Sequence, residues 1–137
     1  MKTRFSSLVM IKKNTMQKSE RLLQSANADL NSAMIALELS YQSLKDVAPP
    51  HDGLMSEFLA SRRLLDSQRG LIGHNKEWVD FAKNQVQQAK SQLKLDMIEH
   101  EKFKYLELEE IKKVLKEKKI KELKDLDEVA LMTYSRD

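Results

Sequence analysis

The sequence predicts an all-α fold: two long helices folded back on each other as an antiparallel two-helix coiled-coil hairpin, with a long C-terminal helical overhang. Three observations carry this expectation. Chain breakers are scarce, with 3 Gly and 2 Pro in 137 residues, and the prolines sit side by side at Pro49 and Pro50. So few turn residues cannot make the many reversals of a β or α/β protein. Charged residues make up 33% and aromatics 6%, a balance that suits a narrow apolar seam better than a broad core. Large apolar residues also recur every seven positions, in two runs that flank the prolines.

The first run is Val9, Met16, Leu23, Leu30, Leu37 and Leu44; the second is Phe58, Leu65, Ile72, Val79, Val86 and Leu93. Seven-residue spacing sustained this long keeps one seam facing a partner helix. Between the runs lies Val47-Ala48-Pro49-Pro50-His51-Asp52-Gly53, where proline disfavours helix at the residue before it. Helix one is therefore expected over about 5–47, the loop over 48–53, and helix two over about 54–131, within a single domain spanning 1–137. A short connection makes the two helices antiparallel. Folding there superposes the runs layer for layer: Leu44 on Phe58, Leu37 on Leu65, Leu30 on Ile72, Leu23 on Val79, Met16 on Val86, Val9 on Leu93. The companion seam positions are small or polar (Ser19, Ala26, Ala33, Ser40 and Asn75, Ala82, Ala89), which allows close approach of the helices. Trp78 lies beside this seam and is expected to pack on its edge.

In this register helix one runs out opposite Leu93 to Met97, and an overhang starts at about residue 98. The overhang carries Phe103, Leu106, Ile111, Leu115, Ile120, Leu123, Leu126 and Val129 with nothing in the chain to cover them. Lone helices are marginal without packing, so this segment is expected either to fray or to be stabilised by another protein. Gly70 and Gly73 interrupt helix two at roughly 1 kcal/mol each relative to alanine, as tolerated or closely packed positions or as a hinge.

Several function classes are excluded. The absence of Cys removes disulfides, thiolate metal sites and thiol catalysis. No stretch reaches the ~18 apolar residues of a membrane span, and the N-terminus lacks the apolar run of a signal peptide. The expected compartment is the cytoplasm, with membrane association only through partners. His51, His74 and His100 are too far apart to share a metal and are expected to be solvent-exposed. No cofactor is expected. Acidic neighbours such as Glu109 and Glu110 have no pocket to tune them for catalysis, and Arg69-Gly70-Leu71-Ile72-Gly73 lacks the lysine of a phosphate loop; no enzyme is expected. The run from Lys112 to Lys124 is interleaved with Glu117 and Glu122 and reads as a solvated face, not a nucleic-acid surface. Charge is blocked along the chain. Residues 1–24 are basic, 25–60 hold Lys45 alone against five acids, and 61–90 are basic again. This pattern points to several protein contacts.

The opening Arg4-Phe5-Ser6-Ser7-Leu8, leading into a basic heptad helix, resembles the start of the FliJ family of flagellar type III export proteins. The closing Leu126-Asp127-Glu128-Val129-Ala130, after a Lys/Glu-rich helix, is similar to that family's terminal Asp-Glu-x-Ala pattern. The resemblance implies a stalk like that of rotary ATPases, seated with both chain ends in the hexameric ring of the export ATPase. It also implies contact with the export gate, a membrane protein, and with export chaperones, at the cytoplasmic face of the inner membrane. The ATPase contact then falls on Arg4, Phe5, Lys12, Asp127 and Glu128, and the gate contact on Tyr41 and Phe58. Two departures stand out: Lys45 replaces a second tyrosine one turn after Tyr41, and Arg69 replaces a histidine of the second helix. Stalk proteins of virulence-type secretion share the pattern. Two other classes fit the same residues: a free coiled-coil scaffold or oligomerisation module that pairs its overhang with itself, and a type III secretion chaperone that holds substrates on its seams.

Overall fold

A computed structural model describes residues 2–47 and 53–135. Among them the chain forms two helices, α1 (Ser6–Lys45) and α2 (Met55–Ser135), and no strand. The all-α hairpin read from the sequence is the fold. Thr3 caps α1 reciprocally: its hydroxyl accepts the Phe5 N–H at 3.1 Å while its own N–H donates to Ser6 Oγ at 2.8 Å, occupying donors that a helix start leaves orphaned. Residues 48–52 of the expected loop lie outside the described residues. At the start of α2, a β-carbon added to Gly53 would run into the Phe58 ring. Phe58 therefore lies over the backbone before α2 and is half exposed, not a seam residue as its place in the heptad run suggests.

The chain divides into two compact units, Lys18–Lys94 and Met1–Gln17 with Leu95–Asp137. In the unit Lys18–Lys94 the buried residues are Ser19, Ala33 and Ser40 on α1 and Ile72, Asn75, Val79, Ala82 and Val86 on α2. They alternate three and four apart, or step by seven, as a two-helix seam requires. Leu23, Leu30, Leu37, Leu44, Leu65 and Leu93 are partly buried along the same seam.

The register differs from the expected one. Ala33 is fully buried in a cluster with Val79 and Ala82, and Leu30 and Leu37 pack against that cluster. Asn75 Nδ2 donates across the seam to the Ala36 carbonyl at 3.3 Å. Leu30 thus meets the Val79–Ala82 region and not Ile72, a displacement of about ten residues, or about 15 Å, along α2. The expected layers stack large residues on large ones, which leaves small residues to face small ones in between. Two stiff helices have one separation to offer, and it cannot suit wide and narrow layers in alternation. In the observed register the large residues Leu30, Leu37 and Val79 pack with the small residues Ala33 and Ala82. Continued by sevens from the cluster, it sets Leu30 opposite Ala82, Ala26 opposite Val86 and Leu23 opposite Ala89. Ala26 and Ala89 do line one shared groove.

Trp78 is 40% exposed on the flank of this seam. Gly70 and Gly73 lie inside unbroken helix, neither has a positive φ, and a β-carbon at either would meet nothing within 4 Å. Close packing therefore does not explain them.

The unit of Met1–Gln17 and Leu95–Asp137 has a seam of its own with more polar residues. Phe5, Val9, Lys12 and Met16 of α1 are partly buried, and so are Asp96, Glu99, Phe103, Leu106, Glu107, Glu110 and Ile111 of α2. His100 is buried at 8% exposure, against the expectation of a solvated histidine, in a groove shared with Val9 and Lys13. Arg4 reaches Glu110 at 3.6 Å. Cover by α1 therefore extends about a dozen residues beyond the expected limit near 98, and the uncovered part of α2 starts at Lys112. The cause is the same shift of register.

Two expectations follow. Cysteines at Ala33 and Val79 should oxidise to an intrachain disulfide, whereas cysteines at Leu30 and Ile72 should not, since a disulfide needs Cα atoms within ~7 Å; gel mobility of the oxidised variants decides between the registers. Gly70→Ala and Gly73→Ala should each raise unfolding free energy by roughly 0.5–1 kcal/mol in denaturant titrations, and a loss of stability in either would contradict the open surroundings seen here.

Candidate partner-binding surfaces

The N-terminal residues singled out in the sequence come together with one stretch of α2. Lys12 Nζ lies 3.7 Å from Glu99 and 5.5 Å from the centre of the Phe103 ring. Arg4 pairs with Glu110 and stacks over Phe5 at 4.9 Å. Arg4 keeps 73% of its side chain in water, so its pair with Glu110 is worth less than about 1 kcal/mol and leaves the guanidinium available. Lys12 is more enclosed, and its ammonium lies over the face of the Phe103 ring as a cation–π contact.

Asp127 and Glu128 are elsewhere. They lie seventeen or more residues beyond Glu110 on an unbroken helix, about 25 Å further along it. The structure does not bring them to Arg4. From Lys112 to Ser135 every residue is exposed, including Leu115, Leu123, Leu126, Val129, Leu131 and Met132. The bonds here are local, such as Lys112 to Glu109 at 3.6 Å and Thr133 Oγ1 to the Val129 carbonyl at 2.9 Å. Two dozen residues of helix thus present apolar side chains to solvent, which suits a surface that another molecule covers.

Tyr41 sits on α1 at 39% exposure with Lys76 Nζ 5.8 Å from its ring centre. It lines an open groove with Met34, Leu37, Glu38, Val79 and Lys83. Phe58 is eighteen residues before Lys76 on α2, or about 27 Å along the helix, so the two aromatics do not form one patch. Among the described residues no group of His, Asp and Glu could hold a metal ion. No described helix is long and apolar enough to cross a membrane.

Sequence reasoning missed His100, Phe103 and Glu110 as partners of the N-terminal turn. The signal was present: His100 lies seven residues past Leu93, and Glu107 seven further, so the heptad run continues through polar residues.

A family model described as "Flagellar FliJ protein" matches residues 1–137, the whole chain. No curated protein and no solved structure matches it. The all-helical hairpin, its polar-seamed N-terminal turn and the full-length match lead to one conclusion: the chain belongs to the FliJ family of flagellar proteins and has a role related to flagellar export.

Proposed function

We propose that this chain is a non-enzymatic central stalk of the flagellar type III export apparatus, which binds the export ATPase hexamer and stimulates it. One observation supports this above the others: the uncovered helix of residues 112–135, with apolar side chains along it and no partner within the described chain. Burial of apolar surface is the main force that orders such a helix, and a ring with a central opening surrounds it on all sides. Arg4, Phe5 and Lys12 contact the ring from the N-terminal turn, and Asp127 and Glu128 from the far part of α2. Tyr41 and Phe58 are separate contacts for the export gate in the inner membrane, and export chaperones are further partners. The chain works in the cytoplasm, at the membrane face through these partners, without cofactor or nucleic acid.

Removal of residues 125–137 should leave the helix content of the remaining chain intact by circular dichroism and abolish stimulation of the cognate ATPase. Arg4→Glu should weaken stimulation at least severalfold without unfolding, and binding should fall as salt rises, because screening shortens to about 8 Å at physiological ionic strength. If the full-length chain leaves the ATPase unaffected and instead dimerises through residues 112–135, the oligomerisation module is the correct reading.

A further inference from the structure

The basic stretch 61–90 has no part in the stalk reading, and the fold arranges it in a specific way. Arg62, Arg69, Lys76, Lys83 and Lys90 recur every seven residues along α2. The last three each lie four residues after a buried seam residue, namely Ile72, Val79 and Val86. A row with the period of the seam keeps to one flank of it. That flank is fixed by Lys76 over Tyr41 and by Lys83 in the groove with Met34 and Val79. Steps of seven residues are about 10.5 Å, so the row runs about 42 Å. All five side chains are exposed. Among the described residues none of them is in an ion pair. The opposite flank of α2, one residue before each seam position, holds Leu64, Leu71, Trp78, Gln85 and Gln92, without a charge.

We infer that this flank is a docking surface for an acidic amphipathic helix of a partner protein, laid along the hairpin as a third helix. Charge complementarity selects an anionic partner, and the seven-residue period selects its form. A helix with one carboxylate per heptad stays in step with the row over its whole length, as flanking charges of coiled coils do. The groove beside Lys83, lined by Met34, Leu37 and Tyr41, takes the apolar face of that helix. Glu38 is the one carboxylate among the groove-lining residues, and it rejects an acid placed on the α1 side, which fixes which way the acidic edge faces. Exposed pairs contribute little each, so the row acts mainly on association rate and on choice of partner. This surface is independent of the ATPase contacts; it shares Tyr41 with the proposed gate contact and goes beyond that reading in the chemistry of its occupant.

The test uses the full chain and a labelled synthetic helical peptide of about four heptads, the length of the row, with one glutamate per heptad at a constant position beside a leucine seam. The comparison probes are a peptide of the same composition with its glutamates moved out of step, phosphatidylglycerol vesicles, and duplex DNA. Fluorescence anisotropy should show binding of the periodic peptide that weakens steeply with salt. It should show a loss of about tenfold or more for Lys76→Glu with Lys83→Glu, within the range charge steering spans, and little change for Arg63→Glu, an exposed cation off the row. If the double reversal disturbs folding by circular dichroism, Lys76→Gln with Lys83→Gln replaces it and should lose affinity in the same direction. The inference is overturned if the rearranged peptide binds as well, if vesicles or DNA displace the periodic peptide, if Arg63→Glu costs as much as the row variant, or if no peptide binds. ATPase stimulation by the row variants should be unchanged, which separates failure here from failure of the stalk reading.

Discussion

Two helices that touch along a single seam have one distance between their axes, and every layer of that seam must be filled at that distance. A larger protein can repair a poor layer with side chains from a third element; a two-helix unit has none. The contact of Ala33 with Val79 and Ala82 shows how this chain meets the requirement. Small residues on one helix receive large ones from the other, so layer volume stays nearly constant and the backbones remain close. The buried polar residues belong to the same arrangement. Asn75 donates across to the Ala36 carbonyl, and Ser40 turns its hydroxyl onto the Leu37 carbonyl at 2.7 Å. Neither leaves a buried donor unmatched, and a cross-seam bond from one asparagine favours its own register over slipped ones.

The sequence made much of this legible. Scarce breakers, paired prolines and two heptad runs are local signals, and they specify two helices and one reversal. Register is not local, because matching every large residue to another large one gives a regular pattern on paper. Seven-residue runs can be aligned at several offsets, and choosing among them requires the volume of whole layers, with the small positions Ala26, Ala33 and Ala82 given the same weight as the leucines. Once the offset is wrong, later inferences inherit the error: the uncovered helix begins a dozen residues too early, and His100 is placed in solvent when it is buried. Phe58 failed for a different reason. It has heptad spacing, but at the first turn of α2 it lies over Gly53.

Function divides along similar lines. The family is shown by a match over the whole chain, and short terminal motifs already pointed to it. Individual contact residues were less legible, because exposed side chains on a helix carry no packing constraint that marks their role. Arg4 and Lys12 face Glu110 and Glu99 within their own unit, yet most of the Arg4 guanidinium stays in water and can serve an external partner. The apolar residues beyond Lys112 are the clearest physical statement in the structure. They contribute nothing to the hairpin's own stability, and an unpacked helix of this length is marginal in water. In the proposed stalk, a surface outside the hairpin covers them.

Large residues meet small ones across the seam at Ala33 and Val79, and a double-mutant cycle at these two positions tests that most directly. Ala33→Leu alone should lower unfolding free energy by about 1–3 kcal/mol through overpacking, although it adds apolar area. Combined with Val79→Ala it should recover much of the loss, with a coupling of about 0.5–3 kcal/mol. Additivity of the two changes within about 0.5 kcal/mol, the behaviour of residues that do not touch, would contradict the register and the packing rule drawn from it.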